Sequence, residues 1–233
     1  MKAHTKKARV LLSILTFFSL SLAWAQAPKV ILSLGNDSYL PREEVERATG
    51  AIVQGELKDL KLTDVSVVIL SNIPYSGLPP EVQSGLVEFL EKGGSLLITG
   101  GSQSFGSGGY IGTDLAPLLP ITPLPGDWRI HPFGAPVPLQ PDHPALSGVT
   151  LPVVANFNDT NPSPGATVIA QYPRRGLPPL MAEKGTRQGT VFAVALDLAE
   201  LSTGGWPDKD KFVLNLITHL LGRSRLGPPA LKK

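Results

Sequence analysis

The chain has 233 residues, no cysteine and a formal net charge of +2. That length suits one sizeable α/β domain and is short for two. Without cysteine there is no disulfide, thiol nucleophile, thiolate metal site or lipid-modified N-terminal cysteine, so stability must come from the core alone.

Residues 1–25 read as a secretory signal. Lys2, Lys6, Lys7 and Arg9 make a positive start, Val10 to Trp24 is mostly apolar, and Ala23-Trp24-Ala25 supplies a small-x-small cleavage site. Cleavage is expected after Ala25, releasing the protein to the periplasm or the exterior. The alternative is an uncleaved anchor, against which stands an apolar run shorter than a bilayer span. The signal carries four basic groups and no acid, and so does the tail 223–233 (Arg223, Arg225, Lys232, Lys233). Removing both takes the charge from +2 to −6 for the body 26–222. A basic footprint for nucleic acid is therefore absent, and no later stretch is apolar enough to span a membrane.

Val30-Ile-Leu-Ser-Leu34 predicts a strand ending at the turn Gly35-Asn36-Asp37. Pro41 to Thr49 predicts a helix, with Glu43 and Glu44 at the positive end of its dipole. The β-branched run Val65 to Leu70 predicts a strand covered on both faces. Pro79-Pro80-Glu81 opens a helix with Val82, Leu86, Phe89 and Leu90 at helical spacing, closed by Gly93. Ser95 to Thr99 is the next buried strand. This alternation predicts an α/β fold, a mainly parallel sheet with helices on both faces.

Residues 120–165 hold 11 of the chain's 23 prolines. That density excludes long helices and central strands and predicts an ordered excursion with one or two short strands, Val153 to Phe157 among them. Trp128, Phe133 and Phe157 give the excursion something to bury. Ala166 to Gln171, Leu180 to Glu183 and Thr190 to Leu196 then predict strands, with a hairpin turn at Arg187-Gln188-Gly189. A last helix starts at Pro207-Asp208, carries Phe212, Val213, Leu216, Ile217 and Leu220 on one face, and ends at Gly222 before a tail expected to be disordered.

The glycine-rich stretch GGSLLITGGSQSFGSGGY, residues 93–110, is the most distinctive segment. It is no Walker A loop, because no Lys or Arg lies between Lys92 and Arg129, and the dinucleotide pattern fails at Ile111. Ser102-Gln103-Ser104-Phe105-Gly106 nearly matches a G-x-S-x-G elbow, which makes Ser104 a candidate nucleophile, with His143, Asp142, Asp197 and His219 available as partners. Against it, the first elbow glycine is Ser102, and Ser104 stands several residues past the strand. His219 in the last helical turn is accounted for by the helix dipole. Asp142-His143-Pro144 reads first as turn chemistry; on a functional reading the excursion folds over the cleft and brings His143 to it.

Taken together, "DVSVVILSNIP", the helix after it and "GGSLLITGGSQSFGSGGYIGTDLAPLLPI" resemble the class I glutamine amidotransferase-like domains of bacterial exported and membrane proteins. "PDHPALSGV" and "GTVFAVALDL" match the same pattern, and the resemblance covers most of residues 29–222. It implies a flavodoxin-like three-layer sandwich. These domains often accompany von Willebrand factor type A modules, so envelope proteins carrying such modules are the partners it suggests. Active members use a Cys on a strand-to-helix elbow with a His and a Glu after a late strand. Here every Cys is missing, and Asp197-Leu198-Ala199-Glu200 is followed by no His until His219. The family's glutaminase chemistry is therefore not expected, and the fold by itself licenses no activity.

Ligands of open parallel sheets sit at the carboxyl ends of the strands. Those ends supply Asn36, Asp37, Ser71, Asn72, Gly101, Ser102 and Asp197, with Ser104 close by. They describe a polar cleft for a small neutral or cationic ligand or a loop of another protein. Asp37 and Asp197 offer carboxylates for a metal, but ordinary turn and capping roles explain such residues more simply; no metal and no cofactor is expected. The reading is an exported, catalytically degenerate amidotransferase-like domain that acts by binding. The alternative is a hydrolase using Ser104 or a metal-bound water in the same cleft.

Overall fold

In the computed structural model the described residues are 27–58, 60–173, 176, 178–201 and 205–227, with the side chains of 131–133, 200 and 201 left aside. The proposed signal lies outside them, as does the tail from 228 onward.

The elements run β1 (Val30–Gly35), α1 (Arg42–Thr49), β2 (Ile52–Gln54), β3 (Val67–Ser71), α2 (Pro80–Glu91) and β4 (Ser95–Thr99). The excursion follows with β5 (Ile121–Thr122), β6 (Trp128–Gly134), β7 (Val137–Pro138), β8 (Val154–Asn158) and β9 (Asn161–Pro162). Then come β10 (Thr167–Gln171), β11 (Pro179–Gly185), β12 (Thr190–Val194), α3 (Leu198–Leu201) and α4 (Lys209–Arg223). The main sheet has the order β2-β1-β3-β4-β12-β11-β10-β7. From β2 to β12 neighbours are parallel; β11, β10 and β7 continue it antiparallel.

The apolar runs decide which strands are central. Every residue of β3, β4 and β12 is buried, because each strand has a layer above and below it. Alternate residues feed two cores. Val67, Ile69, Leu97, Phe192 and Val194 pack with Val45 of α1 and with Phe212, Leu216 and Leu220 of α4. Val68, Leu70, Leu96, Ile98, Val191 and Ala193 pack with Val82, Leu86, Phe89 and Leu90 of α2 and with Phe105 and Tyr110 of the glycine loop. This is the three-layer α/β sandwich, with the two stripes of helix side chains facing opposite sides of one sheet.

Three expectations need correction. The excursion contains five short strands rather than one or two: β5 pairs with β9, β6 with β8, and β7 joins the edge of the main sheet. Proline at Pro138 and Pro162 removes a donor that only an edge or an isolated ribbon can spare, so it limits these strands without forbidding them. The last helix continues through Gly222 to Arg223, and the chain beyond stays attached to the body: Arg225 N donates to Gly93 O at 2.8 Å and Ser66 Oγ to Leu226 O at 2.8 Å. The expected Gly93 stop is in place: α2 ends at Glu91 with Lys92 as its cap, and Gly93 is the left-handed residue beyond it at φ +104°.

Ile98 is fully buried and Val153 is 67% exposed. Ile98→Ala should cost about 2–5 kcal/mol in urea unfolding, whereas Val153→Ala should stay within about 0.5 kcal/mol.

Candidate functional site

The carboxyl ends of β1, β3, β4 and β12 meet at one edge of the sheet. After β3, Asn72 takes a positive φ of +42°, tolerable for Asn but uncommon. Its Nδ2 donates to Asp197 Oδ2 at 2.9 Å, and its Oδ1 accepts from Gln103 N at 2.8 Å. Asp197, 4% exposed, also accepts from Ala199 N at 2.9 Å and so starts α3. Gly101 has φ +138°, and a Cβ there would stand 2.2 Å from the Asn72 carboxamide. Beneath them the Tyr39 hydroxyl lies 2.7 Å from Ser71 Oγ. Burial pushes its phenol up; bonds to Ser71 and Thr99 oppose the shift, and the charges of Asp37 and Asp197 add to it.

The expected residues thus separate. Asn72, Gly101 and Asp197 converge, and Ser102 and Gln103 are exposed above them. Asn36 is exposed and joined to β3 by its N–H to Ser71 O at 2.8 Å, while Asp37 is ion-paired with Arg42 of α1. Ser104 turns inward: it is fully buried, and its hydroxyl donates to Thr99 O at 2.7 Å.

Two residues that sequence reasoning missed organise the glycine loop. Asp127 is fully buried, and its carboxylate accepts from Gly106 N at 2.9 Å, Ser107 N at 3.0 Å, Ser107 Oγ at 2.8 Å and Asn158 Nδ2 at 3.1 Å. Asn158 clamps Gly101 from both sides, its Oδ1 accepting from Gly101 N at 2.9 Å and its Nδ2 donating to Gly101 O at 3.1 Å. Gly106 must be glycine because a Cβ would lie 1.8 Å from Leu124 O. Tyr110 is buried, its hydroxyl donating to Ile73 O at 2.9 Å and its ring edge-on to Tyr75. The only sequence signal for Asp127 was a lone acid after Pro125-Gly126, which resembles any turn.

His143 is not brought to Ser104. The Asp142-His143-Pro144 segment forms a turn in which His143 Nδ1 accepts from Ala145 N at 3.2 Å. Its Nε2 lies 3.2 Å from Glu183 Oε2, and His219 Nε2 lies 2.8 Å from Glu183 Oε1, on the face covered by α4. Phe105, beside Ser104, packs in the opposite core. The dipole account of His219 is therefore incomplete, since the ring has a carboxylate partner on β11. Burial raises the Glu183 carboxyl, but the hydrogen bonds and charges of the two histidines outweigh it and bring its pKa down to about 2.

The residues 66–221 match the family described as "Putative glutamine amidotransferase". The chain belongs to this family. Its fold is shared with the cytoplasmic protein STM3548 of Salmonella typhimurium, at TM-score 0.67 and 19% identity, covering 82% of this chain and 98% of that one. A second protein, STM1381 of Salmonella typhimurium LT2, gives 0.65 and 17% over 82% and 99%. A ThuA-like protein from Bacteroides uniformis gives 0.58 and 12% over 90% and 98%. No curated protein matches the sequence. The chain has no cysteine, so the thiol nucleophile of active class I relatives has no counterpart in it.

The loop geometry sets an order of mutational costs. Asp127→Ala should cost about 3 kcal/mol, leaving buried amides without an acceptor. Gly101→Val should cost about 1–3 kcal/mol through its backbone angle, and more where Asn72 cannot move. Ser104→Ala should cost about 1 kcal/mol, the price of one buried hydrogen bond. Thermal or urea unfolding of the three variants checks this ranking.

Glu183 gives a pH signature. Because its folded pKa, about 2, lies below the ordinary 4.5, its contribution is complete above pH 4.5 and disappears as pH falls towards 2. Glu183→Gln should flatten the stability profile in that window, as followed by circular dichroism.

Proposed function

We propose that this amidotransferase-like domain is exported, has lost the family's hydrolytic chemistry, and works as a binding module for a small ligand or another envelope protein. The observation that carries the reading is the combination of no cysteine anywhere with a Ser104 hydroxyl sealed in the interior. What the strand ends still offer is a polar surface: exposed Asn36, Ser102 and Gln103 around the Asn72–Asp197 pair. Such a surface suits hydrogen bonding to a neutral or cationic group. The segment 1–25, with its charged start and Ala-Trp-Ala site, supports export and a mature chain beginning at Gln26. No helix among the described residues is long and apolar enough to cross a membrane.

Because the chain has no cysteine, Ser102→Cys carries a unique attachment point for a photocrosslinker. In the exporting cell it should trap one defined envelope protein, such as one with a von Willebrand factor type A module, or lose crosslinking to a competing small ligand. Ser84→Cys, on the exposed side of α2, should trap neither. Purified protein should hydrolyse no glutamine, ester or amide substrate, with or without chelator, and N-terminal analysis should find Gln26. Turnover abolished by Ser104→Ala would overturn the reading and establish a hydrolase.

A further inference from the structure

Away from the strand-end cleft, three side chains with metal-ligating atoms converge on the α4 face. We propose that His143, Glu183 and His219 form a site for a borderline divalent transition metal, Zn2+ above all. The three come from separate parts of the chain, the turn at Pro144–Leu146, β11 and α4, so their meeting is a product of the tertiary fold. One ligand atom from each lies within 4.8 Å of the others. Tetrahedral Zn2+ with bonds of about 2.0–2.2 Å holds its ligand atoms about 3.3 Å apart. The spacings of 3.2 Å from His143 Nε2 to Glu183 and 2.8 Å from His219 Nε2 to Glu183 already approach that value. The remaining edge, between the two imidazoles, closes by rotating rings that now meet edge to face with centroids 4.8 Å apart.

The donor set selects the metal. Two imidazoles and one carboxylate suit Zn2+, Ni2+ or Cu2+, whereas Mg2+ and Ca2+ prefer oxygen ligands throughout. The side chains retain 10%, 17% and 14% exposure for His143, Glu183 and His219, so water can complete the coordination. The displaced protons have a place to go. In the metal-free protein the Ala145 N–H bonds to His143 Nδ1, which leaves the ring proton on Nε2, facing Glu183. On metal binding the Nε2 lone pair of each ring goes to the ion, and the displaced proton moves to Nδ1 of a neutral ring or to solvent from a charged one. The ring of His143 must then turn from the Ala145 amide, whose 3.2 Å bond is at the long end of the normal range.

The test is titration of the purified, metal-stripped, tag-free protein with ZnCl2 near neutral pH by calorimetry, with CoCl2 as the spectroscopic probe. One Zn2+ should bind per chain at micromolar affinity or tighter. Glu183→Gln and His219→Ala should each weaken it about tenfold or more, while His131→Ala should leave it unchanged. X-ray absorption of the Zn2+-loaded wild type should show two imidazole ligands, and the Ala145 amide resonance should shift on loading. The proposal falls if one equivalent fails to bind at millimolar Zn2+, if both variants bind as the wild type does, or if absorption finds fewer than two imidazoles. The wild-type spectra decide the matter even where a variant fails to fold.

Discussion

The buried carboxylate of Asp127 is the constraint on which the strand-end architecture depends. An ionised group cannot remain in the interior without compensation, and here two backbone amides, a hydroxyl and a carboxamide supply it. Those donors belong to the glycine loop and to Asn158 at the end of β8, so one anion ties the excursion to the tip of β4. A loop rich in glycine amides is suited to receiving an anion. In this chain the anion is one of its own side chains.

Asn158 extends that constraint into the sheet. Its backbone N–H donates to Ala195 O at 2.7 Å just beyond β12, while its side chain grips both polar groups of Gly101. Gly101 is thereby pressed against Asn72, and Asn72 is in turn held by Asp197. The strand ends form one connected polar network whose members satisfy one another. Ser104 is drawn inward by the same loop closure, which leaves Ser102 and Gln103 as the outward groups. The network gives the glycines a role that needs no cysteine: they meet a steric demand that is independent of catalysis.

The excursion is fastened on the opposite face as well. Thr150 N donates to Asp208 Oδ2 at 2.8 Å, Trp206 Nε1 to Thr150 O at 2.7 Å, and Asn215 Nδ2 to Ser147 O at 3.0 Å. Glu183 joins the turn at His143 to α4 through His219. The proline-rich segment, which has few long ladders of its own, is held at both ends by side chains from the regular elements. A metal at the histidine pair would strengthen the α4 attachment without touching the strand-end surface.

The amino-acid sequence by itself determined the frame. Unbroken apolar runs at Val67–Leu70, Leu96–Ile98 and Val191–Val194 can be satisfied only in strands covered on both faces, and the helical stripes of α2 and α4 supply the covers. Those are local periodicities, readable wherever neighbours in sequence act together. The absence of cysteine likewise leaves no residue for the family's thiol chemistry, a fact that needs no tertiary information. The tertiary structure alone decided that Asp127 serves the glycine loop, that Ser104 faces inward and that His143, Glu183 and His219 meet. Each of these depends on a partner 5 to 40 residues away in the chain. A lone Asp, Ser or His carries no periodic signal, because the electrostatic cost that selects its partner exists only once the chain has closed around it.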